Sequence, residues 1–148
     1  TIVYGDDLTD KSIQEMQGLI NSYPDLKGVI SPTTVGVAAA AVAIKDAGMS
    51  GKIKLTGLGL PSEMADFLAD RTCEGMYLWN PIDLGYAAAY ASVAMVKGEI
   101  TGAVGETFVA GRLGEREIFD AGDGGTFTIV GDPFRFTPEN IEEWKNVY

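Results

Sequence analysis

Hydrophobic and polar positions follow two periods along the first two thirds of the chain, and the switches between them mark its elements. Thr1–Gly5 opens in a strand pattern, and Asp6–Asp10 is a polar loop. Ile13, Met16, Ile20 and Tyr23 recur at steps of three and four. That spacing predicts an amphipathic helix over Asp10–Tyr23, terminated by Pro24-Asp25. Gly28–Ser31 is a short, apolar, β-branched run, suited to the interior of a parallel sheet. Pro32 stops it, because proline cannot donate to a central ladder. Thr33 or Thr34 can cap the small-residue helix that follows, which ends at Gly48. Lys54–Leu58 predicts a third strand, and Ser62–Arg71 a third helix with Met64, Phe67 and Leu68 on its apolar face. Glu74–Trp79 predicts a fourth strand and Asp83–Lys97 a fourth helix, closed by Gly98. Four strand–helix units in succession predict an α/β fold: a parallel sheet with helices on both faces.

The pattern breaks after Glu99. Glycines punctuate short apolar pieces, and Thr107–Ala110, Arg116–Phe119 and Thr126–Val130 read as short C-terminal strands. Thr137-Pro138 starts a brief terminal helix through Trp144, with proline at the first helical position.

Composition narrows the function by exclusion. The net charge of −10 argues against nucleic acid and anionic membrane as partners. There is no histidine, which removes the commonest general base and metal ligand. The single Cys73 excludes an intrachain disulfide and a cysteine-cluster metal site, and reads as a small buried hydrophobe. The longest apolar candidate, Val35–Ile44, falls short of the roughly 20 residues of a membrane span. A chain that opens inside a strand pattern is expected to belong to a longer protein.

Three strand ends carry uncharged polar turns: Pro32–Thr34, Leu60–Ser62 and Asn80. Open α/β sheets bind ligands at the carboxyl ends of their strands, so the pattern points to a cleft for a neutral, hydroxylated small molecule. Each turn also has a plainer role, as a helix cap or a tight connection. Gly57-Leu58-Gly59-Leu60-Pro61-Ser62 has the look of a dinucleotide loop, but Ser62 replaces the third glycine and Pro61 stiffens the turn. Asp6 and Asp7 resemble the acidic pair of a receiver domain, but no carboxylate ends the third strand, so a helix-capping loop is the better reading. No nucleophile is paired with a base, so catalysis has no carrier and no enzyme is expected.

The runs VYGDDLTDKS, YPDLKGVISPTTVGVAAAA, TGLGLPSEMA, LWNPIDLGYAA and FTPENI span nearly the whole chain. Together they resemble the C-terminal lobe of type I periplasmic sugar-binding proteins of bacterial ABC importers. The resemblance is nearest to the rhamnose-binding branch and its relatives that bind furanosyl quorum signals. Such proteins have two lobes joined by a three-stranded hinge, and they close on one sugar. The resemblance implies a C-terminal ligand-binding lobe in residues 1–80. It implies a hinge crossing in residues 81–105, with a helix that packs on the N-terminal lobe. Residues 106–148 would return and complete the C-terminal lobe.

Carried over by position, the ligand contacts fall on Pro32, Thr33, Thr34, Leu60, Pro61 and Asn80. Leu60 and Pro61 stand where ribose-type members carry a carboxylate, and an apolar wall there suits the methyl of a deoxysugar. The implied partners are a monosaccharide and a membrane permease, in the periplasm, with no cofactor, no metal and no nucleic acid. A sugar-responsive transcriptional repressor shares the same lobes and is the alternative. The helix Asp83–Lys97 is apolar nearly all round, so without a covering lobe it is expected to drive self-association, face to face or by swapping the segment after Pro81.

Overall fold

Small side chains set the first packing layer. In this computed structural model, which describes residues 1–147, Val37, Ala39, Ala40, Ala41, Ala43 and Ile44 of helix α2 (Thr34–Asp46) are buried. Alanines along one face let a helix lie close on a sheet without a thick layer of side chains. The sheet beneath holds β1 (Gly28–Ser31) and β2 (Lys54–Gly57), which run parallel with Val29 opposite Leu55 and Ile30 opposite Thr56. Helix α1 (Thr9–Ser22) packs on α2 and buries Met16. Helix α3 (Pro61–Ala69) buries Met64 and Leu68 and packs on the terminal helix α5 (Ile141–Trp144). The strand β3 (Met76–Leu78) joins β2 through a parallel bridge from Leu58 to Tyr77. On its other side β3 bonds to β7 (Phe134–Phe136), the three-residue run FRF.

Two compact units result. Residues 1–78 and 135–147 form one, and residues 79–134 form the other. The core of the first gathers Met16, Ile44, Ile53, Leu55, Met64, Leu68, Cys73, Met76, Phe136 and Ile141. In the second, helix α4 (Pro81–Val96) lies against β4 (Thr107–Val109) and β5 (Glu115–Asp120), with β6 (Thr126–Thr128) antiparallel to β5. Ala91 and Ala94 of α4 meet Ile100, Phe108, Ala110 and Ile118 there.

Several expectations need correction. Thr1–Gly5 forms no strand, so three strand–helix units stand where four were predicted. A strand exists only through its ladder, and no described residue forms one with this run. Residues 106–134 group with α4 rather than with the terminal helix, because the alanine face of α4 finds its cover on β4 and β5. The strand β7 was not predicted. It is three residues long, follows Pro133 and carries an arginine at its centre, so it has no period to read. The dinucleotide-loop reading, already disfavoured by Ser62 and Pro61, is closed off at the end of β2, where a Cβ on Gly57, at φ +152°, would sit 1.8 Å from the Ser31 carbonyl oxygen. That glycine lets β2 close on β1 and offers no open cradle.

Candidate functional site

The carboxyl ends of β1 and β2 lie side by side, since Leu58 N donates to Ser31 O at 2.9 Å. The two turns that follow them therefore share one edge of the first unit. Pro32, Thr33 and Thr34 leave β1 there, and Leu60 and Pro61 leave β2. Pro32 and Thr33 are exposed, Thr34 and Leu60 half-buried, and Pro61 buried.

Thr33 is the residue that caps α2. Its φ and ψ are extended, and its hydroxyl oxygen accepts from Gly36 N at 3.0 Å. One orphan amide of the first turn is thus satisfied, while Val37 N bonds the Thr33 carbonyl. The Thr34 hydroxyl meets no partner among the described residues. A Cβ on Gly36 would meet Ser31 Oγ at 2.5 Å and Thr33 Oγ1 at 2.8 Å. Gly36 thereby brings Ser31 against the same helix turn, a residue that sequence reasoning did not single out. The available signal was a hydroxyl placed directly before the strand-ending proline.

The β2 turn is of the opposite character. Leu60 precedes α3 without a side-chain cap, and Pro61 occupies the first helical position, where its missing N–H costs nothing. On this half of the edge Leu60 is half-exposed hydrocarbon, while Pro61 lies buried beneath it. Chemically the edge pairs hydroxyls and backbone amides on one turn with hydrocarbon on the next. That combination suits a neutral ligand with both hydroxyl groups and an apolar face.

Asn80 belongs to the second unit. Its side-chain oxygen accepts from Ile82 N at 3.0 Å and Asp83 N at 3.2 Å, capping α4. Its amide nitrogen donates to Asp83 Oδ2 at 3.0 Å. Asp83 Oδ1 in turn pairs with Arg112, whose guanidinium lies 4.7 Å from the centre of the Tyr86 ring. The plainer reading of Asn80 as a turn former therefore holds in full, whatever further role it has. Among the described residues no group of three or more histidine, cysteine, aspartate or glutamate side chains is arranged to hold a metal ion.

Residues 1–100 match the periplasmic binding protein domain. A sugar ABC transporter protein from Actinomyces odontolyticus is 50% identical, with a TM-score of 0.80 over 96% of this chain and 44% of its own. An ABC transporter solute-binding protein from Clostridium phytofermentas, solved with bound L-rhamnose, is 48% identical. Its TM-score is 0.87 over 98% of this chain and 48% of its own. LsrB from Clostridium saccharobutylicum, in complex with AI-2, has a TM-score of 0.81 at 16% identity and shares the fold. This chain spans about half the length of these proteins.

Proposed function

We infer the function from one premise: the chain belongs to the periplasmic binding protein domain family. On that premise it is part of the solute-binding component of a bacterial ABC sugar importer. It works outside the cytoplasmic membrane and delivers a monosaccharide to a permease. The ligand is L-rhamnose or a close 6-deoxysugar. The observation that carries this reading is the 48% identity, across 98% of the chain, to a solute-binding protein that holds L-rhamnose. The half-exposed Leu60 side chain supports it, because a sugar methyl is matched by hydrocarbon and a hydroxymethyl is not.

In this reading Pro32, Thr33 and Thr34 supply the polar side of the contact, through the Thr34 hydroxyl and the backbone of the α2 first turn. Leu60 supplies the apolar side, with the buried Pro61 packed behind it as the first residue of α3. Binding of a whole sugar needs walls on most of its surface, so the residues here form one side of a site that closure completes. The AI-2 complex shares fold alone at 16% identity, so it carries no ligand to this chain.

The test compares L-rhamnose with L-mannose, which differs only by a hydroxyl on the sixth carbon. Titration followed by nitrogen–proton correlation spectra is expected to show L-rhamnose binding about tenfold more tightly, the usual worth of one such group in an apolar pocket. Equal affinity for the two would overturn the methyl-recognition reading.

A further inference from the structure

The turn between β5 and β6 holds two aspartates in the same local geometry but with different neighbours. Asp120 Oδ1 accepts from Gly122 N at 2.8 Å, and Asp123 Oδ1 accepts from Gly125 N at 2.9 Å. Each carboxylate folds forward over the peptide that follows it and bonds the amide two residues on. Its carboxyl carbon is thereby held alongside the amide nitrogen of the next residue, within reach of a five-membered ring. The N–H at Oδ1 also draws electron density from that carbon, as an oxyanion donor does.

What differs is the nitrogen. Ala121 N donates to Gly125 O at 3.0 Å, the bond that closes the turn, and a methyl group stands beside it. Gly124 N meets no partner among the described residues. Gly124 has φ +91°, and a Cβ there would meet nothing within 4 Å, so the space around the nitrogen is open. Residues 121–125 are all exposed, and water reaches the turn. Asp123-Gly124 is also the one Asp-Gly pair in the sequence, which has no Asn-Gly pair.

We propose that Asp123 is a modification site: Gly124 N attacks its carboxyl carbon, and the aspartate isomerises to isoaspartate without an enzyme. The N–Cγ bond forms as the carboxyl hydroxyl and the amide proton leave together as water, giving a succinimide ring. Water then adds to the main-chain carbonyl carbon of Asp123 and breaks its bond to Gly124 N. The chain now runs through Cβ and Cγ, one carbon longer, and the former main-chain carboxyl has become the side group. Mass and formal charge are unchanged, and water is the only co-reactant.

The consequence falls on β6. That strand is three residues long and its ladder is with β5 alone, so the turn sets its register. One added carbon works against the Ala121–Gly125 bond and the pairing of Asp120 with Thr126. Beyond them the Phe119 and Phe127 rings, with centres 5.7 Å apart, lose their alignment. The second unit thus carries a turn that loosens its sheet edge with age. This holds whichever ligand the first unit takes.

The experiment holds the protein at neutral pH for several weeks, digests it with trypsin and locates isoaspartate in the peptide 117–135 by fragmentation. Isoaspartate is expected at position 123, and at least about tenfold less of it at position 120, where the nitrogen is engaged. Asp123→Glu is expected to give none at that position, because its ring would need a sixth member. Asp123→Asn keeps the side-chain oxygen and is expected to convert faster, with loss of ammonia. Amides of β6 are expected to exchange at least about tenfold faster in the isomerised chain than in the unmodified one. Equal conversion at 120 and 123, or none at 123, overturns the proposal. Unchanged exchange in β6 of the isomerised chain overturns its consequence for the sheet.

Discussion

Asn80 and Asp83 hold each other across the first turn of α4: the Asn80 amide nitrogen donates to Asp83 Oδ2 at 3.0 Å, and Asp83 N donates back to Asn80 Oδ1 at 3.2 Å. This reciprocal pair resembles a capping box shortened to a single carboxylate. It gives Asn80 a structural duty that any test of its ligand role must separate out. Asn80→Ala is expected to cost about 1 kcal/mol of stability in urea unfolding. Asn80→Asp keeps an N-cap oxygen and is expected to recover most of that loss at neutral pH, while losing the amide donor. Sugar affinity reduced in both variants would assign the amide to the ligand. Affinity tracking stability alone would assign it to the cap.

The outer face of α4 has no cover within its unit. Val93 is 51% exposed, Met95 52% and Val96 89%, with Leu84 at 48%. Apolar side chains exposed along a helix in this number favour association. Light scattering at micromolar concentration is therefore expected to show dimers or larger species. Val93→Glu with Val96→Glu is expected to restore a monomer, because both side chains are on the surface and their charge costs the fold little. A wild-type chain that stays monomeric throughout would contradict this.

Acid is expected to weaken the second unit through Glu106. Its carboxylate accepts from the backbone N–H of Thr101 first, then from the Thr101 hydroxyl and the Ala103 and Gly102 amides, and these hold its pKa below the ordinary value. Glu74 is lowered as well, by its bond to Lys54. A carboxyl lowered in the folded state contributes stability above its unfolded value, near 4.3, and loses it as pH falls through the folded value. Wild-type stability should thus fall as pH drops below about 4.3, and Glu106→Gln should flatten that fall while lowering stability at neutral pH. Urea midpoints across pH measure both.

Cys73 is expected to resist alkylation at neutral pH. Burial pushes its thiol above the ordinary value, and Sγ donates to the Leu55 carbonyl at 3.3 Å. Mass spectrometry after iodoacetamide treatment should find it modified only once denaturant is present. Rapid labelling of the folded protein would mean that the core around Leu55 and Met76 opens readily.

Much of the fold was legible because its elements carry their own period. Ile13, Met16 and Ile20 mark α1 without reference to anything else. The alternation Met76, Tyr77, Leu78 came out as buried, exposed, buried. What could not be read depends on partners far away in sequence. Thr1–Gly5 has strand composition and no strand, since a ladder needs a neighbour that composition does not report. Phe134–Phe136 has a neighbour in β3 and too few residues to announce it. The fate of α4 is of the same kind: its alanine face was visible, but not that β4 and β5 would cover it. At the candidate site, the Pro32–Thr34 turn could be placed from its proline and hydroxyls. Ser31 was missed because its approach depends on Gly36 having no side chain.

The central claim is that a monosaccharide meets this chain at the strand ends carrying Pro32–Thr34 and Leu60. The most direct measurement is a titration of the protein with L-rhamnose to about 100 mM, read in nitrogen–proton correlation spectra. Saturable shifts are expected at the amides of Thr33, Thr34 and Leu60, with a Kd of about 1 mM or weaker, as one side of a cleft should give. Shifts confined to other residues, or none at the highest concentration, would contradict the site. A micromolar Kd for this chain alone would contradict the view that closure is needed to complete it.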